Sequence, residues 1–169
     1  MFASDYAYLL RDWSETKVGM DGQGRFYVGN EGLCNTVRFD SESRYPDLTK
    51  SQGVLGFNRA NGALYVHLER GREARIALSD AAPKGPYLSK FTHPVKNWKA
   101  APDILTWETE GQGPVYLELS GLNPASQYRI EAGSIESVVS TNSQGTLVWQ
   151  SQFDGYRVKR NVRVRKVTK

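Results

Sequence analysis

Val54-Leu55-Gly56-Phe57-Asn58-Arg59-Ala60-Asn61-Gly62-Ala63-Leu64-Tyr65-Val66-His67-Leu68 is the stretch that decides the fold. Two β-rich runs, 54–57 and 63–68, flank Asn61-Gly62, a dipeptide that accepts the positive φ of a two-residue hairpin turn. A turn that tight joins antiparallel strands, because parallel pairing needs a longer crossover. The same grammar continues on both sides. Asp21-Gly22 divides the run 17–20 from 25–28, and Gly29-Asn30-Glu31-Gly32 leads into 33–39. Turn signals recur at Arg70-Gly71, Gly111-Gln112-Gly113, Ala132-Gly133, Gln144-Gly145 and Asp154-Gly155. No helical pattern of sufficient length separates these runs, so the chain reads as all-β, an antiparallel β-sandwich of jelly-roll or Ig-like type.

One helix is expected, over residues 4–13. Ser4 caps it, Asp5 suits its positive end, and Tyr6, Leu9, Leu10 and Trp13 form an apolar stripe. Residues 1–15 are thus read as a short helix packing on the sandwich or on a neighbouring domain. Residues 16–169 are read as the sandwich itself, with a seam near 110–113. Two proline-containing stretches, 40–52 and 80–102, are expected to be long surface connections, where binding residues concentrate. Leu122-Asn123-Pro124 followed by Tyr128 has the spacing of a tyrosine corner and resembles that stretch of fibronectin type III and related bacterial sandwich domains. The corner predicts a hydrogen bond from the Tyr128 hydroxyl to backbone between 122 and 126.

Composition narrows the chemistry. The 169 residues are 39% hydrophobic, as in a globular protein, and no apolar run approaches the roughly 20 residues of a membrane span. No membrane insertion is expected, and the first ten residues lack the basic start of a signal peptide. Cys34 stands alone, which excludes an internal disulfide and a cysteine-based zinc cluster. The two histidines, His67 and His93, form no His-x-x-x-His pair and are assigned structural or surface roles. Neither a Gly-x-Ser-x-Gly elbow nor a phosphate- or dinucleotide-binding fingerprint occurs. Asp40, Asp47, Asp103 and Glu108 offer carboxylates, but their separation is not legible in a sequence. The expectation is no catalytic residues, no metal site and no cofactor.

The aromatic inventory of four Trp, nine Tyr and six Phe points elsewhere. Sugar rings present apolar C–H faces that stack on flat side chains, while amides, acids and Arg bond their hydroxyls. Trp98 in the second irregular stretch is the leading stacking candidate, the alternative being a buried loop anchor. Tyr45 and Tyr87 stand beside prolines in expected loops and complete the stacking set. Arg38 and Asp47 flank the first loop and read either as an ion pair that holds it or as contacts to ligand hydroxyls. Trp107 and Trp149 sit in β-patterned runs and are assigned to the core.

The net charge of +4 is concentrated at one end, where 156–169 holds Arg157, Lys159, Arg160, Arg163, Arg165, Lys166 and Lys169 and no acid. A basic stripe attracts polyanions. The competing reading is the solvated face of a last strand, with charges that deter edge pairing and with Tyr156, Val158, Val162 and Val164 sharing the opposite face. Nucleic acid is not the expected partner, since Tyr156 is the one aromatic there available for stacking.

Taken in order, Asn30–Phe39, Tyr45-Pro46-Asp47-Leu48, Ser51, Gly53–Phe57, Tyr65–Leu68 and Pro86-Tyr87-Leu88 resemble the region after the deacetylase domain in bacterial Pel-type exopolysaccharide proteins. Those large periplasmic proteins join a glycoside hydrolase domain to a deacetylase domain. The resemblance implies a non-catalytic accessory module of an exported polysaccharide-modifying enzyme, located in the periplasm or secreted. Its implied partners are a biofilm exopolysaccharide and a neighbouring catalytic domain of the same parent chain, with Met1 an internal or engineered start. The family's metal-binding Asp and His motifs are missing here, so the resemblance does not carry deacetylase activity over. The alternative function is a structural domain that packs on a catalytic domain or partner protein and has no ligand of its own.

Overall fold

The computed structural model describes residues 16–29, 35–101, 103–156 and 158–167. The described chain is all-β, built of several antiparallel sheets, and contains no helix. The helix expected over 4–13 and Cys34 lie outside the described residues. The chain divides into two compact units, Met1–Pro83 and Lys84–Lys169. The boundary falls inside the second irregular stretch, whereas 110–113 connects two strands within the second unit.

The first unit holds three small sheets. Strands β1 (Lys17–Met20), β2 (Phe26–Gly29) and β7 (Ala74–Ile76) form one, in the order β1-β2-β7. Strands β3 (Thr36–Asp40), β5 (Val54–Ala60) and β6 (Ala63–Leu68) form the second with β6 central, and β4 (Tyr45–Pro46) pairs β8 (Leu78–Ser79). The decisive hairpin is present: Ala60 pairs with Ala63 around Asn61 and Gly62, whose φ values are 50° and 75°. Both central residues have positive φ, as a type I′ turn requires. Leu64, Val66 and Leu68 alternate into the core, where Val28, Leu55, Phe57, Ala74 and Ile76 join them.

The second unit holds eight strands in two sheets. They are β9 (Tyr87–Phe91), β10 (Val95–Ala101), β11 (Ile104–Glu110), β12 (Gly113–Ser120), β13 (Gln127–Ala132), β14 (Ile135–Ser140), β15 (Leu147–Phe153) and β16 (Lys159–Lys166). The larger sheet runs β10-β11-β16-β13-β14 and the smaller β15-β12-β9. Leu105, Trp107, Tyr128, Ile130, Val162 and Val164 of the larger sheet are buried, as are Val115, Leu117, Leu119, Leu147, Trp149 and Phe153 of the smaller. Residues of the two sheets meet: Phe91 is edge-on to Trp107 at 5.7 Å, and the Trp149 indole donates to Ser137 Oγ at 3.2 Å. Trp107 and Trp149 are thus core residues, as expected.

The tyrosine-corner bond is also present. The Tyr128 hydroxyl accepts the Asn123 N–H at 3.1 Å, and buried Thr141 lies 2.7 Å from the Asn123 carbonyl. Gly145 closes this corner with φ 76°, and a Cβ there would stand 2.1 Å from the Leu122 carbonyl oxygen.

Two expectations are corrected. Residues 80–102 are not one long connection, because β9 and all of β10 lie within them. Both are edge strands, and β10 carries a bulge between Lys96 and Lys99, so neither shows clean alternation. Nor is the basic last strand an edge: β16 lies in the middle of the larger sheet, paired along its length with β11 and β13. Val162 and Val164 are buried, but Tyr156 and Val158 precede the strand and are 60% and 43% exposed.

Candidate functional site

Three of the expected contact residues belong to the first unit. Arg38 on β3 does not pair with Asp47; it pairs with Asp40, two residues on, at 2.7 Å. The two side chains share one face of an extended strand, so the near neighbour wins. Asp47 instead caps a turn, accepting Thr49 Oγ1 at 2.6 Å, Thr49 N at 3.0 Å and Lys50 N at 3.2 Å. The Thr49 hydroxyl, chiefly, holds its carboxyl below the usual range against a smaller opposing effect of burial. Tyr45 packs edge-on to Phe57 at 5.8 Å, and the Arg59 guanidinium covers its ring at 5.0 Å. The same guanidinium donates to the carbonyls of Glu42, Ser43 and Arg44, so one side chain holds the connection that follows β3. Beside it Glu42 is bound by the Arg44 guanidinium, which drags its carboxyl down to about 2.

Trp98 and Tyr87 belong to the second unit. Neither stands in a loop. Tyr87 opens β9, half-buried opposite Ser120. Trp98 sits at the β10 bulge, where Asn97 takes φ 55°, and stacks at a 42° tilt on Trp107 with centroids 5.4 Å apart. Half-buried against a core indole, Trp98 has the contacts of an anchor. The histidines are built into the frame: His67 Nδ1 lies 3.3 Å from Thr36 Oγ1, and His93 packs against Phe91 and Phe153 with Nε2 3.3 Å from the Gln112 carbonyl.

A concave feature lies on the larger sheet of the second unit. An open groove of about 660 Å³ is lined by Asn97 and Lys99 of β10, Thr106, Trp107 and Glu108 of β11, residues 159–163 of β16, and Glu131 and Gly133. Register explains why these side chains converge. Cross-strand partners share a face, and Lys99, Thr106, Arg163 and Glu131 form one continuous row across four strands. Lys96, Glu108 and Asn161 form the next row. On this face Glu131 is held by Arg165 at 2.9 Å and Arg163 at 3.9 Å. Lys99, Lys159 and Glu108 make no ion pair among the described residues.

Arg160 shapes the end of the groove. Its guanidinium lies 4.4 Å from the Phe153 ring and donates to the carbonyls of Gly111 (2.9 Å), Val158 (3.0 Å) and Asp154. Sequence reading gave Arg160 only as part of the basic stripe and did not single out Arg59. Their acceptors are backbone carbonyls as far as 49 residues away, and a carbonyl leaves no trace in sequence. The groove was missed for a related reason, since it depends on which strand sits beside which.

Of the four carboxylates singled out above, Asp40 and Asp47 serve local structure and Glu108 lines the groove. Among the described residues no three His, Cys, Asp or Glu side chains gather as a metal-binding group. In comparisons with known proteins the chain matches no family model, no curated protein and no solved structure.

Proposed function

We propose that the chain is a non-catalytic carbohydrate-binding module, its second unit a β-sandwich that carries a polysaccharide across the outer face of the larger sheet. The groove carries the reading. It sets amide, hydroxyl, carboxylate and cationic groups side by side on a hydrogen-bonded sheet. Sugar hydroxyls both donate and accept, and a mixed lining of this kind answers both needs. The resemblance to accessory regions of exopolysaccharide-modifying proteins supports the same reading and adds a periplasmic or secreted setting. Trp98, Tyr87, Tyr45, Arg38 and Asp47 recede as contacts, because each has a partner or a packed position within its own unit.

Screening the chain on a polysaccharide array, followed by calorimetry on the polymers retained, tests this. The expected result is retention of at least one polymer, weakened about tenfold by Asn161→Ala with the fold intact. Retention of none overturns the reading.

A second reading, a packing domain with no ligand, draws on one observation. All four residues of β1 are exposed, Val18 and Met20 by 68% and 66%. Exposed apolar side chains on an edge strand suit burial against a neighbouring domain. Loss of binding or solubility on joining that domain does not distinguish the two readings; the polysaccharide screen does.

A further inference from the structure

We infer that the polymer taken by the groove is an acidic polysaccharide, one carrying carboxylate groups along its chain. This rests on the carbohydrate reading above and specifies its substrate class.

Four basic residues line the groove against two acidic ones. Arg160 is set aside, since its guanidinium is occupied by three carbonyls. Glu131 is neutralised by Arg165 and, more loosely, Arg163, while Glu108 stands opposite Lys96 and Glu110 opposite Lys159, neither as an ion pair. Lys99 has Thr106 and not an acid opposite it, and Lys159, exposed like Lys99, makes no ion pair among the described residues. On the same sheet Arg129 is matched by Glu136 at 2.7 Å.

The position of these lysines also matters. Because β16 is central, its basic residues occupy the middle of a paired sheet, not an edge where charge serves to block association. Lys99 lies opposite Thr106 and Lys159 opposite Glu110. Four residues along and two strands across place their backbones roughly 16 Å apart. A polymer bridges that span; a single sugar does not. Nucleic acid fits less well, because the lining's one aromatic, Trp107, is buried and offers no stacking platform.

Calorimetry with the intact chain against four polymers tests the inference: alginate (a polyuronate), dextran (neutral), chitosan (cationic) and oligo(dT). Alginate should bind at least tenfold more tightly than dextran or chitosan, with affinity falling as salt rises. Lys99→Gln with Lys159→Gln should remove about tenfold of the alginate affinity. Lys17→Gln with Lys84→Gln, an equal charge change on exposed positions outside the groove, should leave it unchanged. Dextran or chitosan bound as tightly as alginate overturns the acidic specificity while leaving the carbohydrate reading intact. Equal losses in both double variants overturn the placement of that specificity. Oligo(dT) bound as tightly as alginate, or no polymer bound, overturns both.

Discussion

In the first unit Arg59 covers the Tyr45 ring and donates to three successive loop carbonyls; in the second Arg160 covers the Phe153 ring and donates to Gly111, Asp154 and Val158. The chemistry is the same, a flat cation on an aromatic face with its N–H groups shared among backbone oxygens. The settings differ. Arg59 is exposed near the end of a hairpin and holds one loop beside small sheets. Arg160 is half-buried at the start of the central strand and holds the connections between β11 and β12 and between β15 and β16. In the first unit the clamp organises a surface loop. In the second it braces the frame that presents the groove.

That contrast can be broken at several points. The largest effect should come from Trp107→Ala, which empties a fully packed site between Phe91 and Trp98 and should cost about 3–5 kcal/mol. Urea unfolding followed by hydrogen exchange should place the loss in residues 84–169; equal loss of protection in both units would show that they unfold as one. Next, Arg160→Ala should cost about 2 kcal/mol and Arg59→Ala about 1 kcal/mol, because Arg160 is half-buried and one of its charge-assisted bonds is partly shielded, whereas those of Arg59 are exposed. Equal costs would erase the distinction between brace and clamp. Tyr128→Phe, measured the same way, should cost about 1 kcal/mol for the lost bond to Asn123. An unchanged stability would mean that the corner is held by Thr141 alone. Least of all, Arg38→Ala should stay within about 0.5 kcal/mol, since it removes one exposed ion pair with Asp40. A loss above 1 kcal/mol there would assign Arg38 a larger role in the first unit.

Much of the fold was legible because its signals are local. Asn61-Gly62 demanded a hairpin, alternation at Leu64, Val66 and Leu68 named a buried face, and the spacing from Leu122 to Tyr128 announced its own hydrogen bond. What escaped is non-local. Strand β10 carries polar residues and a bulge because it lies at an edge, and nothing in Val95–Ala101 says so. The alternation in β16 revealed its two faces but not that β11 and β13 would enclose it. The groove inherits both gaps, as it joins residues from four strands. Asp47 could have been assigned better: an Asp two residues before Thr49 is the pattern of a side chain that caps its own turn. Aromatic content drew attention to Trp98, yet an aromatic at a bulge is as useful for covering a neighbouring indole as for meeting a sugar.

NMR titration of the intact chain with alginate shows whether polysaccharide lies across the outer face of the larger sheet. The largest shifts should fall on the side-chain amide of Asn161 and the backbone amides of Thr106, Glu108 and Arg163. Residues 40–52 and 80–86 should stay still. Shifts confined to those two stretches, with Asn161 unmoved, would contradict that placement and return the site to the loops.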